Sequence, residues 1–348
     1  MLNKISLFQN DRNWNQIKSK VFDLIDQDHQ SGLAQNTLLV RRLESRLAEM
    51  FGRQHCVTMA SCTDALVVSM QSLNLPPNSL VGVSNYTFTA SAHAIARAGY
   101  IPVAIDTNKN YCIDTSRIVE VQAVMAVDIF GNMCDWAALD QLSIPVINDA
   151  AQSLESCNGQ GWSAKQGLIS CISFSPSKTV SSWGSGGALL TDNSDIADLA
   201  RRLRLHGKIH NDAMSIAPGM NSMISNFEAA CIWAGLNHSE QWQKRRTDIA
   251  TYLIKQSNYR SAMDLSLKQN TFQKLVFQSD RRDQTLTDLK SAGIDSTVHY
   301  SKLINDENIY NRPDVVPVST ELSKLSFTVP NQHTLTDSEV EQIAKVLK

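Results

Sequence analysis

The chain has 348 residues, of which 43% are hydrophobic, and its 32 Lys and Arg residues nearly balance its 34 Asp and Glu residues. This length fits one large or two smaller globular domains, and the near-neutral charge argues against a dedicated nucleic-acid binder. No apolar run approaches the ~20 residues of a membrane-spanning helix, and the N-terminal residues lack the apolar core of a signal peptide.

The cysteines form an odd-numbered set without a C-x-x-C pair, which argues against a disulfide framework or a zinc site. We expect reduced, mostly packed thiols in a soluble cytoplasmic protein that holds no metal. The seven residues are Cys56, Cys62, Cys112, Cys134, Cys157, Cys171 and Cys231.

Short apolar runs alternate with helical patterns over the first 200 residues. Helical patterns cover 38–50 and 90–98, where apolar side chains recur on one face. Apolar runs bounded by Gly, Pro, Asn or Asp predict strands at 80–83, 101–106, 123–131, 144–149, 168–175 and 187–191. Because these runs are continuously apolar, we expect an α/β domain with a parallel sheet that is buried on both faces.

The pattern changes after Gly219, where longer helices begin. One helical pattern, at 195–205, precedes this point. Further helical patterns lie at 226–236, 245–256, 283–293 and 337–348, and a strand-like run lies at 275–278. We therefore expect a large domain over residues 1–240, with the N-terminal segment, and a small α+β domain over 241–348.

Ligands of parallel α/β sheets bind at the carboxyl ends of the strands, so residues at predicted strand ends are the candidates for a binding site. A predicted strand is followed by Ser61, Cys62 and Thr63, which begin a helix. They form either an ordinary helix N-cap or a cradle for a phosphate group. Asp149, with Gln152 three residues on, could cap a helix, bind a metal or pair with a protonated ring nitrogen. A metal site is disfavoured because no second acidic or histidine residue lies close in sequence.

Two further strand ends carry Lys178 and Phe88. Lys178 lies in a hydroxyl-rich turn between apolar strands, where a partly desolvated amine becomes a nucleophile toward carbonyl groups. Its segment also matches the S-x-x-K of penicillin-interacting enzymes, but the companion motifs are missing. Phe88 either packs in the core or stacks on a planar ring. A phosphate cradle, a carboxylate, an aromatic face and a recessed lysine together are what pyridoxal phosphate requires.

These motifs, in this order, resemble those of the DegT-type nucleotide-sugar aminotransferases, a branch of the fold type I pyridoxal-phosphate enzymes. The matching segments are 31–33 (SGL), 61–66 (SCTDAL), 84–106, 128–135 (DIFGNMCD), 148–153 (NDAAQS), 173–178 (SFSPSK), 203–207, 219–230, 293–300 (GIDSTVHY) and 325–340. The resemblance covers nearly the whole chain. It implies a large domain with a mostly parallel sheet between helices, and a small C-terminal α+β domain.

By this resemblance, Lys178 forms the internal aldimine and acts as general acid and base. Asp149 pairs with the pyridinium, Gln152 contacts the ring hydroxyl and Phe88 stacks on the ring. The remaining cofactor contacts, mostly to the phosphate, are implied for Ser61, Cys62, Thr63, Ser173 and Asn221. The last of these reaches the phosphate of the neighbouring subunit, which implies a homodimer with shared active sites.

Three residues depart from the family pattern. Cys62 replaces a glycine where the backbone approaches phosphate, Asp128 stands where histidine is frequent, and Met223 replaces an Arg or Lys. The basic residues that could compensate for Met223 are Arg204, His206 and Lys208.

The resemblance implies transfer of an amino group from L-glutamate to a nucleotide-linked keto-deoxysugar, in deoxyamino-sugar biosynthesis for polysaccharides such as O-antigen. The motifs look most like those of dTDP-4-amino-4,6-dideoxyglucose transaminases, so we expect C-4 of dTDP-4-keto-6-deoxyglucose as acceptor. A C-3 sugar aminotransferase and a non-catalytic binding or regulatory relative are the alternatives. Related dehydratases carry histidine in place of the lysine, and Lys178 argues against that chemistry.

Overall fold

The computed structural model describes residues 4–29, 37–208, 214–307, 310 and 315–348, so the segment at 31–33 lies outside the described residues. The strands are β1 (His55–Met59), β2 (Leu80–Ser84), β3 (Ile101–Ile105), β4 (Ala123–Val127), β5 (Val146–Asp149), β6 (Cys157–Asn158), β7 (Gly161–Trp162), β8 (Ile169–Ser173), β9 (Gly187–Thr191), β10 (Arg260–Ser261), β11 (Leu275–Gln278) and β12 (Ser326–Val329). The helices are α1 (Asn10–His29), α2 (Leu38–Phe51), α3 (Cys62–Ser72), α4 (Ala90–Arg97), α5 (Trp136–Leu139), α6 (Ser194–Leu203), α7 (Asn226–Leu236), α8 (Ser239–Gln256), α9 (Arg282–Ser291), α10 (Pro317–Leu325) and α11 (Asp337–Leu347).

A seven-stranded sheet in the order β1-β9-β8-β5-β4-β2-β3 forms the centre of the fold. The pairs β2–β3, β2–β4, β4–β5 and β5–β8 are parallel, whereas β9 runs antiparallel to both β1 and β8. Every residue of β4, β8 and β9 is buried. This matches the continuously apolar sequence of a sheet covered on both faces, so the expected mostly parallel α/β sheet is confirmed.

Helix boundaries follow local sequence signals. Thr37 caps α2 by accepting a hydrogen bond from the Val40 N–H, and Gly52 ends it in a left-handed conformation at φ 66°. Such a conformation is costly for residues with a Cβ atom. The buried side chains of Leu39, Leu43 and Leu47 then share one helical stripe that packs in the core.

The chain after α7 forms a three-stranded antiparallel sheet in the order β10-β11-β12. Its buried residues, such as Val276 and Phe327, belong to the same apolar cluster as Val124 and Ile129 of the large sheet region. The two sheets therefore share one continuous core. The division at residue 240 stays a prediction, with α8 beginning at Ser239 beside it.

The cysteines, all buried, form no disulfide. Within the described ranges, no three His, Cys, Asp or Glu side chains come together as a metal site. No helix in that part of the chain is long and apolar enough to cross a bilayer.

Candidate active site

A cavity of about 420 Å³ lies where the carboxyl ends of β4, β5 and β8 meet the start of α3. Eight of the predicted site residues line it: Ser61, Cys62, Thr63, Phe88, Asp149, Gln152, Ser173 and Lys178. A larger groove of about 1120 Å³ runs beside α8 but contains none of them. The concentration of reactive side chains identifies the smaller cavity as the candidate active site.

Lys178 lies in the turn after β8, partly exposed toward the cavity. Its N–H donates to the Ser175 carbonyl at 2.9 Å, and the Gln273 side-chain amide holds the turn by donating to the Ser177 carbonyl at 2.8 Å. Burial lowers the pKa of the Lys178 ammonium, against the opposing effects of Cys62 and Asp149. A lower pKa increases the fraction of neutral amine, which is the nucleophilic form.

Asp149 ends β5 with its carboxylate buried at the same cavity. Its Oδ2 accepts from the Ser91 hydroxyl at 2.7 Å, and its Oδ1 accepts from the Ala151 N–H at 3.1 Å. Burial raises the pKa of Asp149, although these hydrogen bonds and the charge of Lys178 lower it. No helix begins after Asp149, so the capping alternative is wrong. The geometry suits a cationic ligand group that would stabilise the ionised carboxylate.

Gln152 and Phe88 form another wall together with Tyr300. The Gln152 amide donates to the Tyr300 hydroxyl at 3.0 Å, while its carbonyl oxygen accepts from the Phe130 N–H at 3.2 Å. Phe88 is 55% exposed, so it is not a core residue. Its ring centroid lies 6.1 Å from that of Tyr300, leaving an aromatic face available at the cavity.

The N-terminus of α3 closes one end of the cavity. Ser61 is the N-cap, and its hydroxyl accepts from the Asp64 N–H at 3.1 Å. Thr63 is partly exposed beside it, and Ser173 ends β8 in the same wall. The first N–H groups of a helix lack intrahelical partners, and the helix dipole favours an anion there. Ser61 therefore caps the helix without preventing this end from binding a phosphate.

Cys62 is buried, and burial raises the pKa of its thiol well above the usual range. A close backbone approach is made opposite it, at Gly187. A Cβ atom at residue 187 would lie 2.3 Å from the Cys62 backbone nitrogen. The first residue of β9 thus packs directly against the first turn of α3, and it is here that a side chain cannot fit.

Asp128 lies fully buried, outside the residues that line the cavity. Its carboxylate accepts hydrogen bonds from the Cys134 N–H at 2.7 Å, the Trp136 indole at 3.2 Å, the Asn148 amide at 3.2 Å and the Ser163 hydroxyl at 2.6 Å. Asp128, which departs from the family pattern, therefore has a structural role. Its carboxylate accepts these hydrogen bonds at the edge of the sheet formed by the carboxyl ends of the strands.

Asn221 does not line the cavity and is exposed at the surface. Its neighbour Ser222 donates to the Asp64 carboxylate at 2.8 Å, which places Asn221 beside the first turn of α3. The Asn221 backbone also bridges to Leu205.

Arg204 cannot replace the cation missing at Met223, which corrects one of the expected compensations. It is buried, and its guanidinium donates to Glu44 at 2.6 Å and to the Thr58 carbonyl at 2.7 Å. His206 is exposed nearby.

Among the residues at the cavity that the sequence did not predict, five bear on its chemistry: Phe8, Lys274, His299 and Tyr300 line the cavity, and Ser91 supports Asp149. His299 is held through Nδ1, 2.9 Å from the Thr328 hydroxyl. Burial, with the charges of Lys274 and Lys178, lowers the pKa of His299 to about 3, so its imidazole is neutral. Ser91 could have been inferred, since it lies in the first turn of α4 near Phe88.

Comparison with known proteins gives a consistent result. The chain is 27% identical over 335 residues to UDP-2-acetamido-2-deoxy-3-oxo-D-glucuronate aminotransferase from Pseudomonas aeruginosa, with 88% of this chain and 89% of that protein covered. The structure of this chain resembles that of a DegT DnrJ EryC1 StrS aminotransferase from Brucella abortus, with a TM-score of 0.90, 24% identity and 96% of both chains covered.

It also resembles NtdA from Bacillus subtilis, with a TM-score of 0.90, 20% identity, and 100% of this chain and 85% of that chain covered. The NtdA structure contains bound PMP, so the expected type of cofactor is confirmed in a structural neighbour. Residues 15–348 match the family model of the DegT/DnrJ/EryC1/StrS aminotransferases. The expected family and fold are thereby confirmed, and the chain belongs to the DegT/DnrJ/EryC1/StrS aminotransferase family.

Proposed function

We propose that this protein binds pyridoxal phosphate in the 420 Å³ cavity and transfers an amino group from L-glutamate to a nucleotide-linked keto sugar. The observation that carries the proposal is that Lys178 and Asp149 line one cavity, where burial shifts the pKa of each group and the charge of the other opposes that shift. The α3 N-terminus at one end and the exposed Phe88 ring at the side fit a planar, phosphorylated ligand.

Each residue has a separate task in this proposal. The cofactor supplies an aldehyde that forms an imine with amines and a ring that accepts electrons. With the cofactor bound, Lys178 Nζ would hold that aldehyde and would move the proton at the reacting carbon, while the Asp149 carboxylate would keep the ring nitrogen protonated. The hydroxyls of Thr63 and Ser173 and the first turn of α3 hold the phosphate. Phe88 covers one face of the ring.

The acceptor has two candidates within the keto sugars. The sequence motifs favour C-4 of dTDP-4-keto-6-deoxyglucose. A C-3 ketone on a UDP-sugar is favoured by the Pseudomonas aeruginosa relative, whose name specifies a 3-oxo sugar. A cytoplasmic location is part of the proposal, since such nucleotide-linked sugars are made from cytoplasmic precursors.

A half-reaction screen tests this function. Glutamate added to the purified holoenzyme should remove the visible cofactor band, and the correct keto sugar should restore it with an aminated sugar detected by mass. The panel should contain dTDP-, GDP- and UDP-linked 3- and 4-keto sugars. Recovery by 3-keto sugars alone would overturn the C-4 assignment, and a band that glutamate never removes would favour a non-catalytic binder.

We further propose that the functional unit is a homodimer with shared active sites. Trp14, Phe22, Trp183 and Phe227 form an aromatic patch on the N-terminal face, in which Phe22 is 55% and Trp183 47% exposed. Clustered exposed aromatic side chains mark interaction surfaces. Asn221 lies exposed beside the α3 N-terminus, as a residue that serves a second subunit would.

Mixing two variants tests the shared site. Lys178→Ala and Asn221→Asp should each be impaired, the second because a carboxylate would repel the phosphate. After unfolding and refolding an equal mixture, about one quarter of the sites should contain both native residues if the dimers assort randomly. Activity well above the sum of the separate variants supports sharing, whereas a monomer by ultracentrifugation or no recovery would contradict it.

A further inference from the structure

Lys274 is a second lysine in the wall of the cavity that contains Lys178. It directly precedes β11, is only 8% exposed, and its backbone N–H donates to the Phe130 carbonyl at 3.3 Å. The preceding residue, Gln273, donates its side-chain amide to the Ser177 carbonyl at 2.8 Å. The start of β11 is therefore fixed against the turn that carries Lys178.

The Lys274 ammonium has no anionic partner in the described part of the chain. The charges that act on it, from Lys178 and Arg246, are both positive, and with burial they lower the pKa of Lys274 to about 7. Its Nζ lies 5.9 Å from the centroid of the Phe8 ring. A buried cation without a counter-ion is destabilising, so an anionic ligand at this place would be strongly favoured.

The other basic groups at the cavity cannot take this role. His299 is neutral, and Lys178 is engaged once it binds the cofactor aldehyde. Among the described residues that line the cavity, Lys274 is then the one remaining ammonium. The carboxylate that lines the same cavity, Asp149, is assigned to the ring nitrogen.

We propose that Lys274 binds the α-carboxylate of the amino-acid donor, an inference that rests on the function proposed above. Lys178 must reach the donor carbon that carries the nitrogen, and the α-carboxylate is bonded to that same carbon. Around its own reacting carbon, a neutral keto sugar presents only carbon atoms and hydroxyl groups. The nucleotide phosphates lie several bonds farther from the reacting carbon.

Calorimetric titration of the holoenzyme with glutarate tests the proposal without turnover. Lys274→Met should weaken glutarate binding about 10- to 100-fold, as expected for loss of a hydrogen bond to a charged group, and Lys274→Arg should retain most of the affinity. The matched control is Lys345→Met, an exposed lysine on α11 that should change nothing. If Lys274→Met fails to fold, Lys274→Gln gives the second neutral variant.

The pH dependence provides a readout that a purely structural role would not move. Binding requires the ammonium form, so wild-type affinity should fall as the pH rises above about 7, toward that of Lys274→Met. Lys274→Arg should stay flat over this range because guanidinium keeps its proton, and glutarate remains ionised throughout. Wild type and the Lys274 variants share the same surroundings at this position. These are the charged groups that act on Lys274, namely Lys178 and Arg246, and its neighbour His299.

Three outcomes would overturn the assignment to the donor. Equal glutarate affinity in wild type and Lys274→Met is the first. The second is that Lys274→Met raises the KM for a nucleotide sugar but not for glutamate. The third is that Lys274→Met loses activity only toward an acceptor sugar that carries a carboxylate. The visible cofactor band is recorded for each protein before titration. Failure to form the holoenzyme, which would count against the proposed function, is thereby distinguished from loss of glutarate binding by a holoenzyme.

Discussion

Replacing Lys178 with alanine is expected to abolish both the visible cofactor band and amino transfer. The substitution removes the amine that binds the aldehyde and the group that moves the proton at the reacting carbon. Loss of proton transfer alone corresponds to about 10²- to 10⁴-fold in rate. The measurement is an absorbance spectrum of the dialysed protein, followed by mass detection of aminated sugar after glutamate and acceptor are added.

The matched control is Lys274→Met, which removes the other lysine of the same cavity wall. It should retain the visible band, because Lys178 remains. The phosphate-binding end of the cavity is unchanged in Lys178→Ala, so bound phosphate should still be found in that variant after gel filtration with cofactor. A Lys178→Ala protein with an unaltered band would disprove the assignment of Lys178.

Replacing Asp149 with asparagine should lower kcat about 10²- to 10³-fold, the usual range for removing one preorganised electrostatic group. The amide oxygen can still accept from the Ala151 N–H, so the fold is preserved. Because burial raises the pKa of Asp149, ionising it opposes folding when no cofactor is bound. The variant should therefore have a higher melting temperature than wild type in cofactor-free protein at neutral pH, which is above the pKa of the unfolded carboxyl, because there the raised folded-state pKa of Asp149 costs stability.

Asp128→Asn provides the matched control for a buried carboxylate at the neighbouring strand end. Burial raises the pKa of Asp128 as well, but each of its carboxylate oxygens accepts from at least two protein donors, so an amide nitrogen at either position would face donors from which it cannot accept. This loss outweighs the relief of a buried charge, so we expect a net loss of about 1–3 kcal/mol in unfolding free energy with kcat of the folded protein unchanged. Steady-state kinetics and thermal melts of both variants separate the two roles. If Asp149→Asn lowered stability and left kcat intact, its assignment to the ring nitrogen would be wrong.

Much of the fold followed from local sequence because its main signal is burial. Continuous apolar runs located the parallel strands to within a few residues, as at 144–149 against the observed β5 (Val146–Asp149). Helix α1 was missed because its buried residues include Asn13 and Asp28 beside Ile17 and Val21, which leaves a narrow apolar stripe.

The residues of the candidate site also divide into those that the sequence predicts and those that it does not. Residues at the ends of the large-sheet strands could be predicted, since parallel strands bring their carboxyl ends to one edge. Lys274 and Tyr300 could not, because they reach the cavity from the region after α8 through tertiary packing, and no spacing in the sequence connects them to Lys178. The hydrogen bond from Ser163 to Asp128 and the ion pair between Arg204 and Glu44 are likewise long-range contacts.

The contact between Gly187 and Cys62 bears on which positions can vary in this cradle. A cysteine is accommodated at residue 62, where its side chain is buried and belongs to an apolar core cluster. The Cα–Cβ direction at residue 187 instead points straight into the first turn of α3. Tolerance to substitution is thus set by side-chain direction rather than by distance from the proposed phosphate site. We therefore expect sequence variation at position 62, whereas position 187 should stay glycine.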